Sequence, residues 1–551
     1  MSMKYIEGQD RNQLILFPEC VEDYISEDNP VRVIDAFVNS LDMKQLGFRR
    51  FSPEETGRPP YDPRDLLKLY IYGYFNKIRS SRRLMQECGR NIELFWLMRK
   101  LQPDFRTIAD FRKDNAKAIR QSFLAFGKLC LKLGLYQREL LAVDGSKFRA
   151  VNSDKNVYTA EVLEKKLANI EQKLSRYLSE LDEEDKTDAE SAPDANTVKA
   201  AIAELQERKE KYIEYLTELK NSGQTQLLTT DPEARRMHSK DGFHSCYNIQ
   251  TAVDSGSHLI VDYEVTNRNT DQGLLTEVTN KAKEQLEVDV IETAADKGYE
   301  SREDILNCLF SGTVPNVALK YDKTERLYNI PYVEAEITEE LRSSTKPEDI
   351  KTCISAGVLP KCFEGTAVEV EVQEKGAISC FILNADGTVT CPMGNIMKKK
   401  QKKGENTIYQ CRDACRQCRN RCVPGSRYKT VSFGPNTDCV PVKIYGSNPQ
   451  GLQQIPPNAK ISPNNHVLDR KSSPDKKVVI RIREDKEKQK LRMCLSEHPF
   501  GTVKWYHGAH YLLCKGKEKA SAELGLSFLV YNLKRAINMI GMNKLMAALT
   551  W

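Results

Sequence analysis

The chain has no apolar run approaching the ~20 residues needed to span a bilayer. Its opening Met1-Ser-Met-Lys-Tyr-Ile-Glu lacks the apolar core of a secretory signal. A cytoplasmic protein with no membrane partner is therefore expected. A dominant sign of charge is missing too. Lys and Arg number 83 against 77 Asp and Glu, and the net +6 permits a nucleic-acid partner without demonstrating one. Neither internal repeats nor low-complexity tracts stand out. What the chain has is length: 551 residues, 40% hydrophobic and 29% charged. That exceeds one ordinary core and predicts about three to four globular folding units, some inserted into others. The 16 cysteines are unevenly placed, five of them between Cys391 and Cys422, which suits a thiolate metal site in a reducing compartment better than a disulfide framework.

Three acids stand in informative contexts. Asp144 ends the apolar run Leu140-Leu141-Ala142-Val143 and opens Gly-Ser-Lys-Phe-Arg. Asp296 closes Val290-Ile291-Glu292-Thr293-Ala294-Ala295 and opens Lys-Gly-Tyr-Glu, and Glu497 lies in Arg492-Met-Cys-Leu-Ser-Glu-His-Pro-Phe-Gly-Thr-Val-Lys504. A carboxylate at each of two strand ends plus one on a late helix is what a hard-cation phosphoryl-transfer site needs. Taken singly, an aspartate where a strand meets a glycine-containing turn is commonly turn chemistry. Glu300, Glu303, Glu484, Asp485 and Glu487 also offer carboxylates in competition with Glu497. Leu491, Cys494 and Leu495 form one apolar helix face, and Pro499 predicts a break or kink just beyond the glutamate.

The blocks Val143-Asp-Gly-Ser-Lys, Ala295-Asp-Lys-Gly-Tyr and Glu497-His-Pro-Phe-Gly-Thr-Val-Lys504 resemble the signature of DDE transposases from bacterial insertion sequences. Gly57-Arg-Pro-Pro-Tyr-Asp-Pro, Ser80-Ser-Arg-Arg-Leu, Thr230-Asp-Pro-Glu-Ala-Arg, Tyr247-Asn-Ile-Gln-Thr-Ala-Val-Asp and Tyr531-Asn-Leu-Lys-Arg extend the resemblance over nearly the whole chain. It implies an α/β fold: an RNase H-like catalytic core split by a helical-hairpin insertion and a zinc-module insertion, preceded by an all-α DNA-binding domain. It also implies cleavage of double-stranded DNA at terminal inverted repeats, transfer of the exposed 3′ hydroxyl to target DNA, and a homodimer in the synaptic complex. Asp144 would bridge two divalent ions, with Asp296 binding one and Glu497 the other. All-oxygen ligation favours Mg2+, with Mn2+ as a substitute. Lys504 keeps the offset from Glu497 of a tyrosine-arginine-glutamate-lysine pattern, whereas Arg492 lies one place too far upstream and the tyrosine position is not filled. Lys504, Arg492, Lys297 and Tyr299 are candidate DNA contacts, although exposed loop residues of these types are as often silent. The runner-up is a catalytically inactive, zinc-containing DNA-binding derivative, and retention of all three acids and Lys504 argues against it. A helical scaffold explains residues 160 to 220 and little else.

Residues 1–135 read as the helical domain. Asp62-Pro63-Arg64-Asp65 supplies an N-cap, a proline at the first helical position and an acidic third position, followed by Leu66, Leu67, Tyr70 and Tyr74. Ser81, Asn91 and Thr107 mark further starts. Arg79, Arg82, Arg83, Arg106 and Arg112 are weighed as phosphate contacts against an ordinary solvated face. Residues 136–324 hold the first part of the core. It includes a predicted antiparallel helical hairpin at 160–222, whose near-heptad apolar residues run from Leu163 to Leu219 around a loose connection at 182–197. From His244 the pattern alternates as two strands joined by Ser255-Gly256-Ser257, and Asp271-Gln-Gly begins a helix through Ala282. An acid-bearing strand, a strand pair, then alternating helix and strand is the order the resemblance leads one to expect.

Residues 325–465 form the cysteine-rich insertion. Cys391 and the run Cys411-x3-Cys415-x2-Cys418-x3-Cys422 offer one thiol more than a four-thiolate Zn2+ site needs. The resemblance selects Cys391, Cys415, Cys418 and Cys422 and leaves Cys411 as the spare. Lys398-Lys-Lys-Gln-Lys-Lys403, Arg412, Arg416, Arg419 and Arg421 make this the most basic stretch, read as a DNA-facing module or, more plainly, a solvated loop. Pro and Gly at 434–435, 446–449, 456–457 and 462–463 suggest an irregular return. Residues 466–551 complete the core with Glu497 and a long helix from Lys517 to Ala548, interrupted or weakened at Gly525.

Overall fold

The computed structural model describes residues 20–49, 60–184, 195–239, 241–319, 325–374, 378–418, 422, 428–444, 452–453, 456–457, 459–461 and 476–549. The start of the Gly57 motif, most of the hairpin connection, Arg419, Arg421 and the punctuation at 446–449 and 462–463 lie outside the described residues. The chain is mixed α/β and divides into two compact units. One comprises Met1–Arg138, Asp144–Asp271 and Cys494–Trp551, and the other Glu139–Val143 and Gln272–Met493. The division passes through the strand Leu140–Arg149 and the helix Lys486–Gly501.

In the first unit, helix starts follow their caps. The Asp62 carboxylate accepts from Arg64 N–H at 2.8 Å ahead of helix Pro63–Phe75, as the sequence predicts. Asn91 caps Ile92–Leu97. Asp104, rather than a residue near Thr107, opens Phe105–Asp114, and Asn115 separates that helix from Ala116–Lys132. Helix Pro63–Phe75 is buried almost all round, and so is Lys517–Ile540 for most of its length. These are core helices, not surface ones.

Helix Lys517–Ile540 runs unbroken through Gly525, against expectation. A Cβ at Gly525 would lie 2.5 Å from the Tyr263 hydroxyl, so the glycine serves a close approach. The helix stops at Gly541, with φ 78°, and Met542–Leu549 follows. Asn532 ties the helix to strand Ile260–Thr266, accepting from Ile260 N–H at 2.9 Å and donating to Ile260 O at 2.7 Å. That strand pairs antiparallel with Gly242–Asp254, whose N-terminal part pairs with Arg235–Ser239. Helices Ala160–Glu184 and Ala195–Ser222 flank a small cluster of Tyr158, Leu163, Leu219 and Leu227.

In the second unit, Leu140–Val143 runs parallel to Ile291–Ala295, Val143 opposite Ala295, and Ile291–Ala295 runs parallel to Thr313–Val317. Buried parallel strands read as near-continuous apolar runs, which is how they look in the sequence. The helix expected to begin at Asp271 begins at Leu275, because Asp304 takes the N–H groups of Leu275 and Thr276 at 2.9 and 3.2 Å. A three-stranded sheet centres on Lys476–Arg483, flanked by Val368–Glu374 and Glu325–Pro331. The cysteine-rich stretch forms a six-stranded antiparallel sheet in the order Thr430–Phe433, Asn406–Gln410, Ile396–Lys403, Val389–Thr390, Ile378–Leu383, Cys439–Lys443. Phe381, Val389, Met397, Tyr409, Val431 and Phe433 fill its core.

Candidate functional site

Asp144 belongs to the first unit, where its Oδ1 accepts from Gly145 N–H at 2.8 Å. Strand alternation puts Asp144, Ser146 and Phe148 on one face. Phe148 is fully buried against Phe500, their ring centroids 6.1 Å apart. Phe500 and Glu497 are one turn apart on the same helix and so share a helix side. Glu497 itself is exposed. Lys504 returns to the same strand face, its ammonium donating to Ser146 Oγ at 2.6 Å and Lys147 O at 2.7 Å and lying 4.6 Å from the Phe148 ring centroid. This unit therefore brings the Glu497 segment and Lys504 onto the face of the strand that Asp144 occupies.

The helix does not break after Glu497 as the sequence predicts. It continues through Pro499 to Gly501 and then widens into a π-helical stretch, Thr502–Tyr506. Proline removes a backbone donor and crowds the preceding turn, yet the helix runs on for two residues before the π-helical stretch begins. The expected apolar face is corrected as well: Leu495 is buried, but Leu491 and Cys494 are exposed.

On the other face of the strand lies a polar network that sequence reading missed. Asn248 and Gln250, both fully buried, each donate to Asp271 Oδ1 at 2.7 Å, and Lys147 lies 3.7 Å from the same oxygen. Burial lowers the Lys147 pKa, opposed chiefly by Asp271. A Cβ at Gly145 would stand 2.4 Å from Gln250 Nε2 and 2.7 Å from Asp271 Oδ1, so any larger residue there has to displace this network. The available signal was the pair of amides two residues apart in Tyr247-Asn-Ile-Gln, which a strand places on one face.

Asp296 belongs to the second unit. Its Oδ1 accepts from Gly298 N–H at 2.7 Å and caps the single turn Lys297–Tyr299. Gln489 donates to Ala295 O at 3.1 Å and Asn316 O at 2.6 Å, which fixes the first turn of helix Lys486–Gly501 at the strand ends preceding Asp296. Two competing carboxylates have structural work instead: Asp485 accepts from Glu487 and Lys488 N–H at 3.0 and 3.2 Å, and Glu300 lies 3.5 Å from Arg326. Tyr299 is fully buried and leaves the set of DNA contacts, because its ring packs inward from the short turn. Lys297 is exposed and Arg492 half-buried. Among the described residues, no group of three or more His, Cys, Asp or Glu is arranged to hold a metal ion.

In the cysteine-rich sheet, Cys391 opens a tight turn in which Gly394 N–H donates to Cys391 O and Cys391 N–H to Asn395 O, both at 2.8 Å. Cys411 and Cys418 bracket helix Arg412–Gln417, which carries Cys415. Burial pushes the Cys415 thiol up, with smaller contributions from Cys411, Cys391 and Cys418. Burial drives Cys422 to about 12, with Cys391, Cys418 and Cys415 adding to the rise. The thiols are thus within electrostatic reach of one another although they do not close to ligating geometry. The chemistry of this donor set, four soft sulfurs, fits a thiophilic cation.

Among the N-terminal arginines, Arg79 and Arg112 are buried and drop out as phosphate contacts. Arg82, Arg83 and Arg106 are exposed, with Arg82 stacked 5.0 Å from the Phe105 ring centroid.

This helical region is also where likeness to known proteins lies. Residues 19–114 match the family described as Transposase domain (DUF772), and that match supports a transposase role for the chain. Among solved structures, the chain is similar to a piggyBac transposase synaptic complex with hairpin DNA at 10% identity, over 95% of this chain and 79% of that one. The TM-score of 0.25 is too low to argue from. No curated protein matches. No helix among the described residues is long and apolar enough to cross a membrane.

Proposed function

We propose that the chain is a DDE transposase of insertion-sequence type, acting as a homodimer on double-stranded DNA. It hydrolyses the strand at terminal inverted repeats and joins the exposed 3′ hydroxyl to target DNA. Asp144, Asp296 and Glu497 would hold Mg2+ or Mn2+ through carboxylate oxygens, and the ion would supply Lewis-acid stabilisation of charge at the phosphate. The observation that carries this reading is the packing of the Glu497 helix segment and Lys504 on the face of the strand shared by Asp144 and Phe148. It joins two of the sequence blocks that resemble such enzymes. Lys504, Arg492, Lys297, Arg82 and Arg83 contact the DNA backbone, and an RNase H-like core is the fold this function calls for. Cys391, Cys415, Cys418 and Cys422 hold a structural Zn2+. That set is the one the resemblance selects, with Cys411 as the spare.

The test is incubation of the purified full chain with labelled DNA carrying its terminal repeats, with and without Mg2+ or Mn2+, beside Asp296→Ala. Metal-dependent cleavage at the element boundary, lost in the variant, is expected. Specific binding without cleavage under either metal would leave an inactive DNA-binding derivative as the function.

A further inference from the structure

Residues 398–403 make a cationic ribbon of the strand Ile396–Lys403, whose partner Asn406–Gln410 is itself paired with Thr430–Phe433. Met397 is buried in the module core, whereas Lys398, Lys399, Lys400, Gln401, Lys402 and Lys403 are all exposed. Asn406–Gln410 pairs with it on one side, and on the other Val389–Thr390 reaches only Ile396 and Met397. Beyond Met397 this side of the strand has no partner among the described residues. Successive side chains point to opposite faces, so Lys398 with Lys399, and Lys402 with Lys403, put ammonium groups on both. A register shift between Lys399 and Gln401 adds a local twist at Lys400.

One or two lysines suffice to keep an open edge from pairing with another chain. Five among six consecutive positions repel one another, a cost that a polyanion offsets. The register shift splits the paired lysines between the two faces, Lys398 with Lys403 on one and Lys399 with Lys402 on the other. We infer that this ribbon binds the phosphate backbone of duplex DNA. Such contacts carry no base information and supply affinity that is independent of sequence. Cys391 precedes the ribbon and Cys411 directly follows its second strand, so the thiol cluster anchors its base. The inference rests on the transposase reading and names a surface through which the chain holds DNA.

The test is fluorescence anisotropy of the full chain on a duplex without terminal repeats, titrated with KCl in the absence of divalent metal. The variant changes Lys398, Lys399, Lys400, Lys402 and Lys403 to Gln. Each lost phosphate contact lowers the slope of log K against log salt by about 0.9, so a fall of roughly 3 to 4.5 is expected. Lys402→Gln with Lys403→Gln loses about two-fifths of that, and the all-arginine variant keeps the wild-type slope. All the altered side chains are exposed, so the melting curves should coincide. An unchanged slope in the glutamine variant, beside a wild-type chain that still cleaves terminal-repeat DNA in Mg2+, overturns the ribbon alone. Absence of any DNA binding by the wild type overturns the ribbon and the transposase reading together.

Discussion

Arg79→Met separates a structural arginine from a DNA-binding one. The Arg79 side chain is 8% exposed, and its Nη2 lies 2.5 Å from Oε1 of Glu523, which is 1% exposed. The guanidinium also donates to the Gly508 carbonyl and, at 2.6 Å, to Tyr511 O. Glu523 accepts in addition from Leu513 and Cys514 N–H at 2.9 and 3.0 Å. Burial disfavours the Arg79 charge, but Glu523 and Tyr74 together more than compensate, and the net shift is upward. Removing the cation leaves a buried carboxylate with only backbone donors and deprives two carbonyls of theirs, a change that costs about 3 to 5 kcal/mol. That is a large share of the ~5 to 15 kcal/mol by which domains are stable. Urea unfolding followed by tryptophan fluorescence should show the loss. Arg79→Met combined with Glu523→Met should recover most of it, because apolar replacement of a buried pair is often neutral. The DNA affinity of the folded variant should not change. Stability within ~0.5 kcal/mol of wild type, with DNA affinity reduced, would refute the structural assignment.

Gly525→Ala gains ~1 kcal/mol of helix propensity but drives a methyl toward the buried Tyr263 hydroxyl, which donates to Ser521 O at 2.8 Å. A net loss of about 1 to 3 kcal/mol is expected from overpacking, and a raised melting temperature would contradict it. His507 is 2% exposed, and neither ring nitrogen has a partner among the described residues. Burial, then Lys534 and Lys77, lowers its pKa from 6.5 to about 4. The unfolded chain therefore takes up the proton first as pH falls. Stability is unaffected above pH ~7 and declines between about 6.5 and 4, by about 2 kcal/mol at pH 5. In urea titrations across this range His507→Phe should lose that part of the slope, and parallel curves for variant and wild type would count against it. Cys422→Ser should abolish Zn2+ in the purified chain while Cys411→Ser retains it, measured by elemental analysis. Equal metal content in the two would undo the ligand set.

Much of the secondary structure was legible because its causes are local. The Asp62 cap acts within one turn of the helix it starts, and the strand pair around Ser255-Gly256-Ser257 shows its alternation directly. Asp144 and Asp296 stand out for a similar reason, since each follows an apolar run that becomes a buried parallel strand. Local rules failed where a distant neighbour intervened. Gly525 interrupts no helix and its missing side chain leaves room for Tyr263, and Pro499 lies inside a helix that runs on to Gly501.

The sequence by itself determined the helix starts capped by Asp62 and Asn91, which runs are strands, which acids close them and which cysteines cluster, since composition and spacing over a few residues decide each. Only the tertiary structure decided which polar groups face inward. Arg79 and Glu523 lie 444 residues apart, and no periodicity connects them. Tyr299 sits in a short turn that reads as exposed and yet is buried, and Asp271 finds Asn248 and Gln250 only once the strand pair has formed. Burial of a polar side chain is a property of its partners, and these partners are remote in the chain.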